Sequence, residues 1–137
     1  MIEYEVNKTI TAEQYVDLLK RSTLGERRPI DDMACIEGMV RHSNLFVSAW
    51  EDGKLIGASR SMTDFHYACY LSDLAVDQSY QRRGIGKRLQ QLTQDQLGPQ
   101  CSLILLAAPK AKDYYAGIGY ARHERCWILE PTGVIAD

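Results

Sequence analysis

The feature that most restricts the fold is an abrupt change of pattern between Leu71 and Leu92. His66 to Val76 reads as a long, mostly apolar strand. Asp77 to Arg83 is polar. Gly84 then opens a helix with Ile85, Leu89 and Leu92 on one face, and Gly98-Pro99 ends it. Leu103 to Ala108 follows as an unbroken apolar run, the pattern of a central strand covered on both faces. Strand, helix and strand in this order predict a right-handed crossover between two parallel strands.

The rest of the chain supplies antiparallel partners and a second helix layer. Ile2 to Val6 alternates like a short strand. Thr11 and Gln14 have the spacing of a capping box, opening a helix to about Ser22 that buries Tyr15, Leu18 and Leu19. Gly25 to Pro29 is a loop carrying Arg27 and Arg28, and Asp31 is the candidate cap of a second helix with Met33, Ile36, Met39 and Val40. Leu45 to Trp50 and Leu55 to Met62 flank Glu51-Asp52-Gly53-Lys54, a strong hairpin signal. Ala111 to Ile118 reads as a short helix ending at Gly119, and a last strand is expected at about Arg125 to Leu129. The expected fold class is α/β with a mixed sheet: mostly antiparallel, with a central parallel β-α-β unit and helices on both faces. One domain over residues 1–137 suits the length.

Composition narrows the function. A formal net charge of -2 argues against a nucleic-acid partner held by a broad basic surface. No apolar run approaches the ~20 residues of a membrane span, and the first residues lack the pattern of a signal peptide. A cytoplasmic protein is expected, with no membrane partner. Cys35, Cys69, Cys101 and Cys126 form no C-x-x-C pair and read as reduced core thiols, and no ligand cluster suggests a metal.

The chemistry concentrates in Gln81-Arg82-Arg83-Gly84-Ile85-Gly86-Lys87-Arg88. A helix N-terminus offers unpaired N–H groups and a positive dipole end. Glycines let a diphosphate approach that backbone closely, and Arg82, Arg83, Lys87 and Arg88 add positive charge. A P-loop would need Ser or Thr after Gly86-Lys87, where Arg88 stands; a dinucleotide fingerprint would need glycine at Leu89. The alternative is a plain helix start with a solvated basic turn.

Gln81 to Gly86 matches [QR]-x-x-G-x-[GA], the cofactor motif of the GNAT superfamily of N-acetyltransferases, which the chain resembles over nearly its whole length. Leu71 to Val76 resembles that family's fourth strand, and Ala111 to Tyr120 its A-x-x-[FLY]-Y-x-x-x-G-[FY] segment. The resemblance implies acetyl-CoA as cofactor and a sheet whose fourth and fifth strands part. Backbone of Leu74, Ala75 and Val76 would pair with the pantetheine arm, and the N–H groups from Arg82 through Gly84, Ile85, Gly86 and Lys87 would hold the diphosphate. Ala108 stands where many members carry Asn, so a side-chain bond to the cofactor is lost there. Asn44 onward, with Asp64-Phe65-His66 and Tyr80-Gln81, also resembles a bacterial and plastid subgroup associated with arylalkylamine acetylation.

Acetyl transfer needs a neutral amine, a stabilised oxyanion and a proton for the departing thiolate. Tyr115 aligns with a tyrosine that many members place near the cofactor sulfur, which makes it the candidate acid; the alternative is a core aromatic. Asp73, a carboxylate inside an apolar strand, is the candidate base; the alternative is a structural Asp bonded to a loop or an arginine. Phe65, His66 and Tyr67 are candidates to line the acceptor pocket. Arg27 and Arg28 fall where family members often wall the acceptor site, unless they are solvated loop charges. His42 and His123 are poorer candidates as bases. The leading expectation is acetylation of a primary amine on a small molecule by direct attack. The alternatives are a protein lysine or N-terminal acetyltransferase and a CoA-binding sensor without turnover. Family members are often dimers, so a homodimer is the assembly the resemblance implies.

Overall fold

The computed structural model describes all residues from Met1 to Asp137. The chain divides into two compact units, Met1–Leu105 and Leu106–Asp137.

The first unit is a five-stranded sheet with helices on both faces. Its strands are β1 (Glu3–Val6), β2 (Leu45–Glu51), β3 (Lys54–Thr63), β4 (Ala68–Val76) and β5 (Ser102–Ile104), in the spatial order β1-β2-β3-β4-β5. The first four pair antiparallel; β4 and β5 pair parallel, joined through α3 (Ile85–Asp95). The mixed α/β architecture expected from the pattern is therefore present. One face of the sheet carries α1 (Ala12–Arg21) and α2 (Met33–His42), which bury Tyr15, Leu18, Leu19 and Ile36 against Phe46, Trp50 and Ala75. The other face carries α3, whose Ile85 and Leu89 pack on Val47, Ile56 and Cys69.

Local chemistry explains the boundaries. Thr11 and Gln14 form the expected capping box at α1. The cap of α2 is Asp32 rather than Asp31, its side chain accepting from Cys35 N at 3.1 Å. The β2–β3 hairpin turns through Asp52 and Gly53, both at positive φ (50° and 77°), the backbone twist a two-residue hairpin requires. β4 starts at Ala68, because Asp64 accepts from the backbone N–H groups of His66, Tyr67 and Ala68 and holds them in a turn.

Three expectations fail at the far end of the chain. β5 is an edge strand of three residues, with Ile104 47% exposed, not a covered central strand. A continuous apolar run marks a central strand only if strands pair on both edges and layers cover both faces; β4 is the only neighbour of β5, and Ile104 is left half exposed. The short helix is reduced to α4 (Tyr114–Gly117), preceded by a 3₁₀ turn at Pro109–Ala111. No strand forms at Arg125 to Leu129, where Trp127 is 91% exposed. Alternation makes a strand only where another strand can pair, and the Leu106–Asp137 unit contains none. Of the thiols, all free, only Cys69 is fully buried; Cys35 and Cys126 are exposed rather than core residues. No helix is long and apolar enough to cross a membrane.

Candidate active site

Two features of the first unit build an anion cradle. Beyond β4, Asp77 Oδ1 accepts from Ser79 N at 2.8 Å and turns the chain through Gln78–Tyr80. Arg82 and Gly84 then adopt left-handed conformations, at φ 65° and 78°. Glycine takes this conformation without the Cβ strain that Arg82 bears, so Gly84 is the low-strain residue for the start of α3. It caps α3 without any side-chain hydrogen bond, and the first helical bond is Arg88 N to Gly84 O at 3.0 Å. The N–H groups of Ile85, Gly86 and Lys87 precede that ladder and lack a cap, which leaves them aimed at an anion. Gly86 backs onto β4: a Cβ there would sit 3.7 Å from Val76 Cγ2 and 3.9 Å from Leu74 Cδ2. Arg82, Arg83, Lys87 and Arg88 are exposed around the loop. Arg83 lies over the Tyr80 ring at 4.9 Å, and Tyr80 Oη donates to Glu51 at 2.7 Å.

The second feature is a free strand edge. β5 pairs only with Ala68, Cys69 and Tyr70, so β4 from Leu71 to Val76 has β3 on one side and no strand on the other. Leu74 and Val76 turn their side chains to the α3 layer, and Ala75 turns to the α1–α2 layer. Gln81 Nε2 reaches back to the Val76 carbonyl at 3.4 Å, a long bond. An uncapped helix start beside a free strand edge fits the diphosphate and the amide-bearing arm of acetyl-CoA together: Gly84, Ile85, Gly86 and Lys87 would hold the first by N–H groups, and Leu74 to Val76 the second by main-chain pairing.

Where the free edge begins, β4 bulges. Arg60 faces Asp73 but Ser61 faces Leu71, so Ser72 is an extra residue. The bulge reverses the alternation of faces. Cys69 points to the α3 layer, whereas Asp73 and Ala75 point to the α1–α2 layer. Asp73 is thereby carried into a buried network. Its Oδ2 accepts from Tyr15 Oη and Arg60 Nε, both at 2.6 Å; its Oδ1 accepts from Arg28 Nε at 2.7 Å and Ser72 Oγ at 3.2 Å. Arg60 also donates to Ser72 Oγ and Ser43 Oγ, and Arg28 Nη2 donates to the Ser72 carbonyl at 2.8 Å. Burial alone would raise the Asp73 pKa, but the Arg60 hydrogen bond and charge, the Arg28 charge and the Tyr15 hydrogen bond outweigh it and hold the carboxyl below its ordinary value. Burial, with the neighbouring Asp73 charge and hydrogen bond, pushes Tyr15 well up.

This corrects the expected role of Asp73. A base needs a free lone pair and a raised pKa; Asp73 has four donors on its two oxygens and a lowered one. The alternative, a structural Asp bonded to arginine, is what the geometry favours. Arg28 is correspondingly committed to Asp73 and Ser72 rather than to solvent, while Arg27 is exposed. Phe65, His66 and Tyr67 are not brought to the free edge. They form the turn at the opposite end of β4, where Phe65 O accepts from Gly98 N at 2.8 Å and Tyr67 O from Ser102 N at 3.0 Å. That is the closed end, where β4 and β5 pair, so an acceptor-lining role does not fit. Sequence reasoning missed Arg60 and Ser72. The signal for Arg60 was available: a lone cation in a buried return strand, opposite a lone carboxylate in the next.

Tyr115 belongs to the second unit, on α4. Its ring packs edge-on against Tyr114 (5.1 Å) and Tyr120 (5.3 Å), and its carbonyl accepts from Ile118 N and Tyr120 N. Burial, then the Tyr114 charge, raise its pKa, so the phenol keeps its proton at neutral pH.

An uncapped, glycine-started helix after a strand with one free edge is an arrangement that suits a diphosphate and an extended amide arm together. Residues 22–127 match the acetyltransferase (GNAT) domain, and the chain belongs to that family. It is an acetyl-CoA-dependent N-acetyltransferase. No curated protein sequence matches it. The fold is shared with a probable acetyltransferase from meticillin-resistant Staphylococcus aureus (20% identity, 95% of this chain and 100% of that one, TM-score 0.74). It is shared also with a GNAT-family acetyltransferase from Streptococcus pneumoniae (22%, 93% and 98%, TM-score 0.72). A third similar structure is the aminoglycoside N-acetyltransferase AAC(6')-Iy in complex with CoA (18%, 96% and 95%, TM-score 0.72). None of these supports the arylalkylamine subgroup in particular.

Proposed function

We propose that the protein acetylates a primary amine on a small molecule, by direct attack of the neutral amine on the thioester. The observation that carries this reading is the uncapped, left-handed start of α3 beside the free half of β4. Acetyl-CoA, when bound, supplies an activated acetyl group on a thiol leaving group. Gly84 to Lys87 would hold the diphosphate by main-chain N–H groups, and the main chain of Leu74 to Val76 would pair with the amide-bearing arm. We assign Tyr115 as the acid that protonates the departing thiolate, because it aligns with the tyrosine that many family members place near the cofactor sulfur and its phenol carries a proton to give. With Asp73 committed, the amine loses its proton to solvent, so kcat/KM for the acceptor rises with pH toward the amine's own pKa of ~10.

A small acceptor is supported by two similar structures of aminoglycoside acetyltransferases, one solved with sisomicin (20% identity, TM-score 0.65). Four free cysteines suit a reducing compartment, the cytoplasm, and light scattering decides whether the homodimer forms. Thiol release from acetyl-CoA, followed over a panel of aryl amines, polyamines, aminoglycosides, amino acids and short peptides, tests the assignment. Release with a small amine is the expected result. Release only with peptides would move the function to protein acetylation, and tight binding without release to a sensor.

A further inference from the structure

The Asp73 network reaches beyond β4, and its far end is the segment Thr23–Arg27 between α1 and α2. That 3₁₀ turn is held at its start by Ser22, whose Oγ accepts from Leu24 N. At its end stands Arg28, whose guanidinium is fully directional. Nη1 donates to the Arg27 carbonyl at 2.9 Å, Nε to Asp73 at 2.7 Å and Nη2 to the Ser72 carbonyl at 2.8 Å. One side chain thus joins the turn to both consecutive residues of the bulge. Arg60 fixes the same two residues from behind, through Asp73 Oδ2 and Ser72 Oγ. The Ser72 carbonyl, which the bulge takes out of the β3 ladder, has its partner in Arg28.

The placement gives the link a function. The free edge of β4 starts at Leu71, one residue before the bulge. With the diphosphate end held at Gly84 to Lys87, the reacting end points to this fork. We propose that Arg28 is a positioning residue for the acceptor: seated on Asp73, it fixes the Thr23–Arg27 turn against the Ser72 bulge and so sets how the amine meets the thioester. This rests on the reading of the β4 edge as the place of acetyl transfer. Arg28 does not touch the reacting atoms; it acts through the turn and the Ser72 peptide. Lysine cannot replace it, because a point charge cannot bond three acceptors in a fixed planar fork.

The test compares Arg28→Lys with Arg21→Lys. Arg21 is a matched control: it forms an ion pair with Asp77, and its side chain is as exposed as that of Arg28, 21% in each case. Hydrogen exchange should show residues 23–28 deprotected in Arg28→Lys, with α3 unchanged, and no deprotection there in Arg21→Lys. With an amine identified in the panel, kcat/KM for the acceptor should fall about 10- to 100-fold in Arg28→Lys while KM for acetyl-CoA stays within about twofold. Equal losses for both substrates, or the same acceptor loss in Arg21→Lys, would reduce Arg28 to a general stabilising contact and overturn the proposal. Unchanged exchange at residues 23–28 would overturn it without any acceptor. If the wild-type protein acetylates no amine, the transfer reading fails by itself, and exchange still decides whether Arg28 pins the turn.

Discussion

The two ends of the free half of β4 are built on opposite principles. The Val76 end leads into a cradle of main-chain N–H groups, shaped by Arg82 and Gly84 at positive φ. The Ser72 end is a side-chain construction, in which Tyr15, Arg28 and Arg60 arrive from three separate elements to meet one carboxylate. Backbone binding reads any diphosphate with the same geometry and tolerates sequence change around it. A network of charged side chains depends on every member and fails when one is altered. In the proposed reading the first design serves the cofactor and the second the acceptor.

The sharpest way to break the backbone end is Gly86→Trp. The indole would fill the space above Leu74 and Val76, and acetyl-CoA binding by calorimetry should fall by about 100-fold or more. Gly86→Ala should fold as the wild type does, since a Cβ at Gly86 meets only ordinary contacts, and it is the control for folding. At the side-chain end the corresponding substitution is Asp73→Asn. It leaves Arg28 and Arg60 without their shared counter-charge and should cost about 3–5 kcal/mol in denaturant unfolding. If acetyl-CoA affinity falls as far as stability in the folded fraction, the two ends are not independent. Tyr115→Phe should lower kcat about 100-fold with acetyl-CoA affinity kept, measured by pre-steady-state thiol release. Wild-type turnover would remove it as the acid.

The smallest effect is on pH. The Asp73 carboxyl lies below its ordinary value of 3.8 when folded, so the unfolded chain binds the proton more readily. Its stabilisation is complete above that value and disappears as pH falls through the lower folded pKa. Acid titration of the wild type should show this loss below about pH 4, and Asp73→Asn should flatten it. The pH–rate profile between about pH 5 and 8 should carry no limb from Asp73.

The same contrast explains what was legible in the sequence. Gln81 to Gly86 was readable because a glycine requirement at a strand-to-helix junction is local: three or four neighbours dictate it. The Thr11–Gln14 box and the Asp52-Gly53 turn were readable for the same reason. Asp73 was correctly singled out as anomalous, yet its role depends on Tyr15 and Arg28, 58 and 45 residues away. Its orientation depends further on a one-residue bulge that strict alternation conceals. Phe65, His66 and Tyr67 were misplaced because Asp64 ends the strand early and puts them at its closed end. The apolar run at Leu103 to Ala108 carried no information on strand order, which decides whether β5 is central or at the edge.

The division into two units has an optical consequence, because each holds one of the two tryptophans. Trp50 is 4% exposed and donates from Nε1 to Ser48, with Lys8 over its ring at 4.2 Å. Trp127 is 91% exposed. Emission of the first should be blue-shifted and move to the red only when the sheet opens; the second already emits as in water. Replacing Trp127 by Phe therefore leaves a single tryptophan reporting on the unit that contains the cradle and the bulge, with no label needed to follow its unfolding.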